Sequence, residues 1–171
     1  SPQSAAGAWE LPEELQQLRD TVRRFVREQV APREEALPHD SPGLPHEELA
    51  ALQERAQALG LWALQVPEEF GGPGLNVLGQ VVVAEEAARC RLGAQFPAAG
   101  AFAGNPPSVM YSASEELFER YARPLIDGSP GRPYTAMSEA GGGSDPAGAI
   151  RCRAVRDGDH YVINGEKMWT T

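Results

Sequence analysis

Several features are scarce in this sequence of 171 residues, and each scarcity argues against a class of protein. There are only two cysteines, Cys90 and Cys152, with no second Cys or His at metal-ligand spacing from either. This disfavours a zinc site and favours free thiols in a reducing cytoplasm over a disulfide or a catalytic nucleophile. No apolar run approaches the roughly 18 residues of a membrane span, and residues 1–9 lack the basic start and apolar core of a signal peptide. We therefore expect a cytoplasmic protein without a membrane span.

Positive charge is also scarce. Fifteen Lys and Arg residues face 24 Asp and Glu residues, which gives a formal net charge of −9. No basic run is present to collect phosphate contacts, so we expect no nucleic-acid partner. The chain is nevertheless 42% hydrophobic, which suits a globular domain with a core of its own.

The first three quarters of the chain have the hydrophobic period of helices. Between Pro12 and Val30 apolar residues recur at intervals of three and four, and we expect Pro32 to end this first helix. Asn76 is placed to cap a later helix that is apolar on more than one side, which predicts a central, buried position. The remaining predicted helices lie at residues 45–59, 94–104 and 114–126, with a Gly- and Pro-rich loop at 66–74.

The pattern changes to alternation after Pro133, which predicts strands. A short strand is expected at residues 134–138, and a three-stranded meander is expected at 150–155, 160–163 and 166–171. The predicted fold class is α+β, with an amino-terminal all-α domain followed by the start of an antiparallel β-barrel domain. The expected divisions are a disordered or tag-derived end at 1–10, a helical domain at 11–131 and a partial β-domain at 132–171.

A Gly-rich segment follows the first predicted strand, at residues 138–145 (SEAGGGSD). Consecutive glycines allow backbone N–H groups to approach an anion, and a nest of such donors can hold a pyrophosphate without a basic side chain. We expect Gly143 to adopt the positive φ of such a nest. On the residues alone a plain flexible turn is favoured over a nest, because the segment lacks the Lys of a P-loop and Pro146 stands where a dinucleotide-binding fingerprint has its last Gly.

Taken in order, five segments resemble the amino-terminal half of an acyl-CoA dehydrogenase. The segments are 11–35, 66–74 (VPEEFGGPG), 118–129, the Gly-rich segment, and 162–171 (VINGEKMWTT). The resemblance covers nearly all of the chain after Trp9. It implies a helical domain, a β-barrel domain and a carboxy-terminal four-helix domain, with FAD held between them, in a homo-oligomer that is usually a tetramer.

The resemblance also assigns site residues. Ser138 falls near the pyrimidine edge of the flavin, Trp169 beside the isoalloxazine, and Thr171 where a hydroxyl or amide reaches flavin N5. Ser144 matches a serine that contacts both FAD and the acyl-CoA thioester. The full set of implied FAD contacts is Thr135, Ala136, Met137, Ser138, Gly143, Ser144, Trp169, Thr170 and Thr171. No metal site is implied, and without the resemblance Trp169 would be expected to pack across a sheet.

The implied reaction is α,β-dehydrogenation of an acyl-CoA thioester, with an electron-transfer flavoprotein as the partner that accepts the electrons. The glutamate base of the family would lie beyond Thr171, so no catalytic residue is assigned here. Glu85 and Glu86 form a tempting carboxylate pair, but a solvated or structural role is favoured. Two alternatives remain open: the same fold acting as a flavin monooxygenase, nitroalkane oxidase or acyl-CoA oxidase, or a non-catalytic helical interaction module.

Overall fold

The fold begins with a long helical segment that continues through Pro32. The computed structural model describes residues 10–92, 100–129, 131 and 134–170. Helix α1 spans Glu13–Phe25, a π-helical turn follows at Val26–Val30, and α2 spans Ala31–Glu35. The prediction that Pro32 ends the helix is therefore wrong. Because the α-helical bond ladder restarts after the π turn, Pro32 falls in a first turn, where its missing N–H is tolerated.

The other helices of the first part of the chain follow the predicted order. Asn76 accepts a hydrogen bond from the Gly79 amide at 2.8 Å, which confirms the predicted cap. The predicted helix at 94–104 falls largely outside the described residues, and residues 101–104 are not helical. The helices are α3 at His46–Ala58, α4 at Val77–Ala87, α5 at Glu115–Tyr121 and α6 at Arg123–Ile126, with 3-10 turns at Glu68–Phe70 and Ser108–Ser112.

Two hydrophobic clusters hold the helical part together. In the first, α1 packs against α4, and the Phe25 and Phe102 rings lie 5.4 Å apart. In the second, the ring of Phe70 lies 4.9 Å from the rings of both Tyr111 and Phe118. Burial of these side chains supplies most of the folding free energy of a helical unit.

Helix α4 is less buried than its sequence predicts. Its inner face buries Val82, Val83 and Ala87, but Val77 and Val81 are 74% and 56% exposed. One face of the helix is buried as predicted, but the other carries exposed valines, so the predicted central position is wrong for that face.

The chain divides into two compact units, with the boundary after residue 132. In the second unit a four-residue helix, α7 at Pro146–Ala149, precedes an antiparallel hairpin of β1 at Arg153–Asp157 and β2 at His160–Asn164. The strands are joined at Gly158, whose φ of +59° suits the predicted turn. Every residue of both strands is exposed.

The predicted meander is reduced to these two strands among the described residues. Residues 134–138 and 165–170 are not strands. Trp169 has a φ of +58°, which interrupts an extended run. The first strand begins at Arg153 and not at Ile150, because the Arg151 and Cys152 amides donate to the Glu139 carboxylate and so leave the ladder.

Candidate functional site

The second unit contains a cleft of about 280 Å³ beside the Gly-rich segment. Its walls come from the stretch between residues 137 and 150 and from Trp169, which lies further along the chain. Its lining residues are Met137, Ser138, Glu139, Gly142, Gly143, Ser144, Pro146, Ala149, Ile150 and Trp169.

Backbone and side-chain hydrogen bonds join the start of this stretch to the residues just before Trp169. The Met168 amide donates to the Ser138 carbonyl at 2.9 Å, and the Lys167 ammonium donates to the Met137 carbonyl at 3.2 Å. These two bonds bring Ser138 and Trp169 to the same cleft, although 31 positions separate them in the sequence.

Glu139 is the charged residue with the most partners at the cleft. Its side chain is only 8% exposed and forms an ion pair with Lys167 at 2.8 Å. Its two oxygens also accept the amides of Arg151 at 2.6 Å and Cys152 at 2.9 Å. The Lys167 hydrogen bond and these backbone donors lower the pKa of the Glu139 carboxyl to about 2, so it is ionised at neutral pH.

A side-chain cap shapes the far wall of the cleft. Asp145 accepts a hydrogen bond from the Gly148 amide at 3.1 Å and so begins α7. The cap fixes the end of the Gly-rich segment, which leaves Ser144 exposed at the cleft.

The cleft presents an aromatic face and two hydroxyls. The Trp169 side chain is 85% exposed, and it is one of only two described non-glycine residues with positive φ. The Ser138 and Ser144 hydroxyls make no hydrogen bond to any other residue in the described part of the chain. A flat apolar ring beside unpaired hydroxyls is suited to an aromatic ligand that carries polar edges.

The structure brings five of the nine residues predicted to contact a cofactor to this cleft. Thr135, Ala136 and Thr170 are exposed but do not line it, and Thr171 lies outside the described residues. The residues that line it are Met137, Ser138, Gly143, Ser144 and Trp169.

The expectation of a positive-φ nest at Gly143 is wrong. Residues 141–143 have no positive φ, and a Cβ built at Gly143 would meet nothing within 4 Å. The Gly142 amide donates to the Glu139 carbonyl at 2.9 Å, which makes the segment a hydrogen-bonded turn. The glycines therefore leave open space at the cleft, and they do not form a curved row of anion-binding amides.

Sequence reasoning did not single out Glu139 and Lys167 as a pair. Each lies in a segment that carries the family resemblance, but the pairing of residues 28 positions apart is set by the tertiary fold. The sequence offered two signals. The single lysine of the chain stands two positions before Trp169, and an acidic residue directly follows Ser138.

The paired glutamates of α4 have separate environments. Glu85 is exposed, whereas Glu86 is 1% exposed and lies 2.7 Å from Arg23 and 2.9 Å from Arg89. Hydrogen bonding by Arg23, with the charges of both arginines, lowers the pKa of the Glu86 carboxyl despite its burial. Glu86 is thus a structural ion-pair partner between α1 and α4.

Within the described residues there is no disulfide and no cluster of metal-ligating side chains. Both cysteines are free thiols, and burial with the nearby charges of Glu34 and Glu35 raises the pKa of Cys90 to about 11. Among the described residues, no group of three His, Cys, Asp or Glu side chains could hold a metal ion. None of the described helices is long and apolar enough to cross a membrane.

The chain forms a helical unit and a second unit with an antiparallel hairpin and a Ser- and Gly-lined cleft. Comparison with known proteins identifies its family. Residues 12–129 match the family described as acyl-CoA dehydrogenase, N-terminal domain. The chain belongs to the acyl-CoA dehydrogenase family, as its sequence predicts.

Relatives and solved structures agree with this assignment. The chain is 34% identical to (2S)-methylsuccinyl-CoA dehydrogenase of Cereibacter sphaeroides, over 96% of the chain and 29% of that relative. It is similar to the ChsE4-ChsE5 complex from Mycobacterium tuberculosis, with a TM-score of 0.67 and 29% identity over 95% of this chain and 39% of that one. It is also similar to an acyl-CoA dehydrogenase complexed with FAD from Bacillus anthracis, with a TM-score of 0.60 and 28% identity over 94% and 27%. The chain therefore spans less than half the length of each of these proteins.

Proposed function

We propose that this chain forms the amino-terminal part of a FAD-dependent acyl-CoA dehydrogenase, in which the cleft of the second unit is one wall of the flavin site. In this proposal residues 11–131 act as the helical domain and residues 132–171 as the first part of the β-domain. The observation that carries the proposal is the meeting of Ser138, Ser144 and Trp169 at one cleft in a chain of this family.

The residues at the cleft fit a flavin better than they fit a small anion. The indole of Trp169 offers an apolar face of the size of an aromatic ring system, and it is free of other packing. The Ser138 hydroxyl can donate to or accept from a polar ring edge. No Lys or Arg lines the cleft, so we assign it to the ring system and not to the phosphates of the cofactor.

FAD would supply hydride acceptance, and the chain would supply binding and orientation. We propose Ser144 as the residue that contacts the thioester, where a hydroxyl donor stabilises charge on the carbonyl oxygen. The two α4 glutamates are poor candidates for the base, because Glu86 is paired with arginines and Glu85 is solvated. We propose that the base lies in a part of the protein beyond Thr171.

The proposed partners and assembly are those that the family implies, and the proposed location is the one expected from the composition of the chain. The substrate is an acyl-CoA or a related thioester, and an electron-transfer flavoprotein accepts the electrons. The protein is a cytoplasmic homo-oligomer. One relative acts, by its name, on (2S)-methylsuccinyl-CoA. We propose that the acyl selectivity of the present protein is set in part by residues outside this chain.

Flavin binding by two matched variants tests the proposal. We would measure the FAD dissociation constant of the full-length protein, of Trp169→Ala and of Tyr161→Ala. Tyr161 is a suitable control, because it is an aromatic residue of the same unit, 66% exposed, and does not line the cleft. We expect weaker binding by about tenfold in Trp169→Ala and no change in Tyr161→Ala. Equal affinities for the two variants would overturn the site, and a wild type that binds no FAD would overturn the function.

A further inference from the structure

One acidic side chain holds together all the segments that line the cleft. The Glu139 carboxylate accepts from Lys167 Nζ at 2.8 Å, from the Arg151 amide at 2.6 Å and from the Cys152 amide at 2.9 Å. Its backbone carbonyl accepts the Gly142 amide at 2.9 Å. Hydrogen bonds that involve an ionised group are stronger and shorter than neutral ones, and three of these four are of that kind.

Each of these bonds fixes a position at or next to the cleft lining. Gly142 is itself a lining residue, and Arg151 directly follows the lining residue Ile150. Lys167 stands two positions before Trp169 and one before Met168, whose amide bonds to the Ser138 carbonyl. The carboxylate is thus bonded both to the segment that follows Ile150 and to the segment that precedes Trp169, and each of these residues lines the cleft.

We propose that Glu139 and Lys167 are positioning residues, whose ion pair sets the separation between the Ser138 wall and the Trp169 wall of the cleft. Neither residue need touch the ligand for this role. The proposal rests on the proposed function for the identity of the ligand, but its geometrical part stands on the contacts alone.

Charge balance gives the pair a second effect. Glu139 lines the cleft and is nearly buried, while its partner is 26% exposed. Without the lysine, a carboxylate next to the cleft would lack a neutralising cation and would repel an anionic dinucleotide. Removal of Lys167 should therefore weaken FAD more than the neutral probe riboflavin.

The test compares four variants in the full-length protein. Lys167→Met removes the cation, Lys167→Arg keeps it, and Glu139→Asp keeps the negative charge but shortens its reach. The matched control is Glu48→Gln, which removes the Arg33–Glu48 ion pair of the same 2.8 Å length in the first unit. Circular dichroism and the unfolding midpoint of each variant report whether the fold is retained.

The first measurement needs no ligand. Hydrogen exchange of the ligand-free protein should show the Met168 and Cys152 amides exchanging about tenfold faster in Lys167→Met and Glu139→Asp. Lys167→Arg should restore slow exchange, and Glu48→Gln should leave it unchanged. Unchanged protection in both Lys167→Met and Glu139→Asp would overturn the positioning role, whether or not the protein binds flavin.

The second measurement uses FAD and riboflavin as probes. We expect FAD binding to weaken about tenfold or more in Lys167→Met and Glu139→Asp, with riboflavin affected less by Lys167→Met, and to recover in Lys167→Arg. Wild-type affinity in Glu139→Asp would mean that charge alone matters, and this would overturn the proposal. A wild type that binds neither probe would contradict the proposed function, and the exchange experiment would still decide the positioning role.

Discussion

Replacing Glu86 by Gln tests the ion pair that joins α1 to α4. The side chain is 1% exposed, and its carboxylate accepts from Arg23 Nη2 at 2.7 Å, from Arg23 Nε at 3.2 Å and from Arg89 Nε at 2.9 Å. Gln keeps the shape and one acceptor, but it removes the charge and turns one oxygen into a donor that faces an arginine.

The expected cost is moderate. Breaking a fully buried ion pair costs roughly 3–5 kcal/mol, but the two arginines are 45% and 58% exposed and can recover water contacts. We therefore expect Glu86→Gln to lower the free energy of unfolding by about 2 kcal/mol. For a chain of this length that corresponds to a fall in Tm of about 6 °C.

The pH dependence gives a second signature. The arginine contacts lower the pKa of Glu86 in the folded protein below its ordinary value of 4.5. The stabilisation is therefore present above pH 4.5 and is lost as the pH falls through the folded pKa. The stability difference between wild type and Glu86→Gln should be largest at neutral pH and should shrink in acid, where the wild-type carboxyl is protonated.

Urea unfolding of wild type, Glu86→Gln and the neighbouring control Glu85→Gln measures this effect. Glu85 is exposed, so its replacement should change stability by less than about 0.5 kcal/mol. Equal stabilities of the two variants, or a difference that stays constant from neutral pH into acid, would show that the ionised Glu86 carboxylate does not stabilise the fold through its arginine contacts.

Three further predictions follow from individual contacts. Gly72→Ala should lower the free energy of unfolding by about 2 kcal/mol, because its Cβ would collide with the Val66 carbonyl oxygen. The control Gly43→Ala has open space around it and should be neutral or slightly stabilising. Urea titration measures both. Cys90 should resist iodoacetamide at pH 8, since its pKa of about 11 leaves little thiolate, and rapid labelling in a peptide map would contradict this. Ser144→Ala should weaken acyl-CoA binding by about 1 kcal/mol with little change in Tm, and an unchanged dissociation constant would reject its assignment.

Much of the fold was predictable because it depends on local patterns. The period of apolar residues predicts α1, α3, α4 and one helix where the structure has α5 and α6, and Asn76 predicts the start of α4 from its own side-chain chemistry. The family and the fold class also follow from ordered motifs. The path through Pro32 was not predictable, because a π-helical turn depends on packing and not on residue type.

The strands were harder to predict, since a strand exists only with a partner. Residues 150–152 alternate like a strand, but the Glu139 carboxylate takes the amides that a ladder would use. Alternation also predicts a strand at 166–170, where Trp169 adopts positive φ. In both cases a contact or conformation set by tertiary structure overrides the local preference.

The candidate site also has features that the sequence predicts and features that depend on tertiary structure. The family resemblance assigned Ser138, Ser144 and Trp169, and the structure brings all three to one cleft. The Glu139–Lys167 pair was missed because sequence spacing does not report which charges meet. The nest at Gly143 was predicted from composition, but three successive glycines permit positive φ without requiring it.

Anaerobic addition of acyl-CoA thioesters to the purified full-length protein tests whether it is a flavin-dependent dehydrogenase. We expect the protein to carry FAD, one class of acyl-CoA to bleach the flavin absorbance, and a 2-enoyl thioester to appear in equal amount. A protein that stays free of flavin in excess FAD, or a bound flavin that no acyl-CoA reduces, would show that it is not.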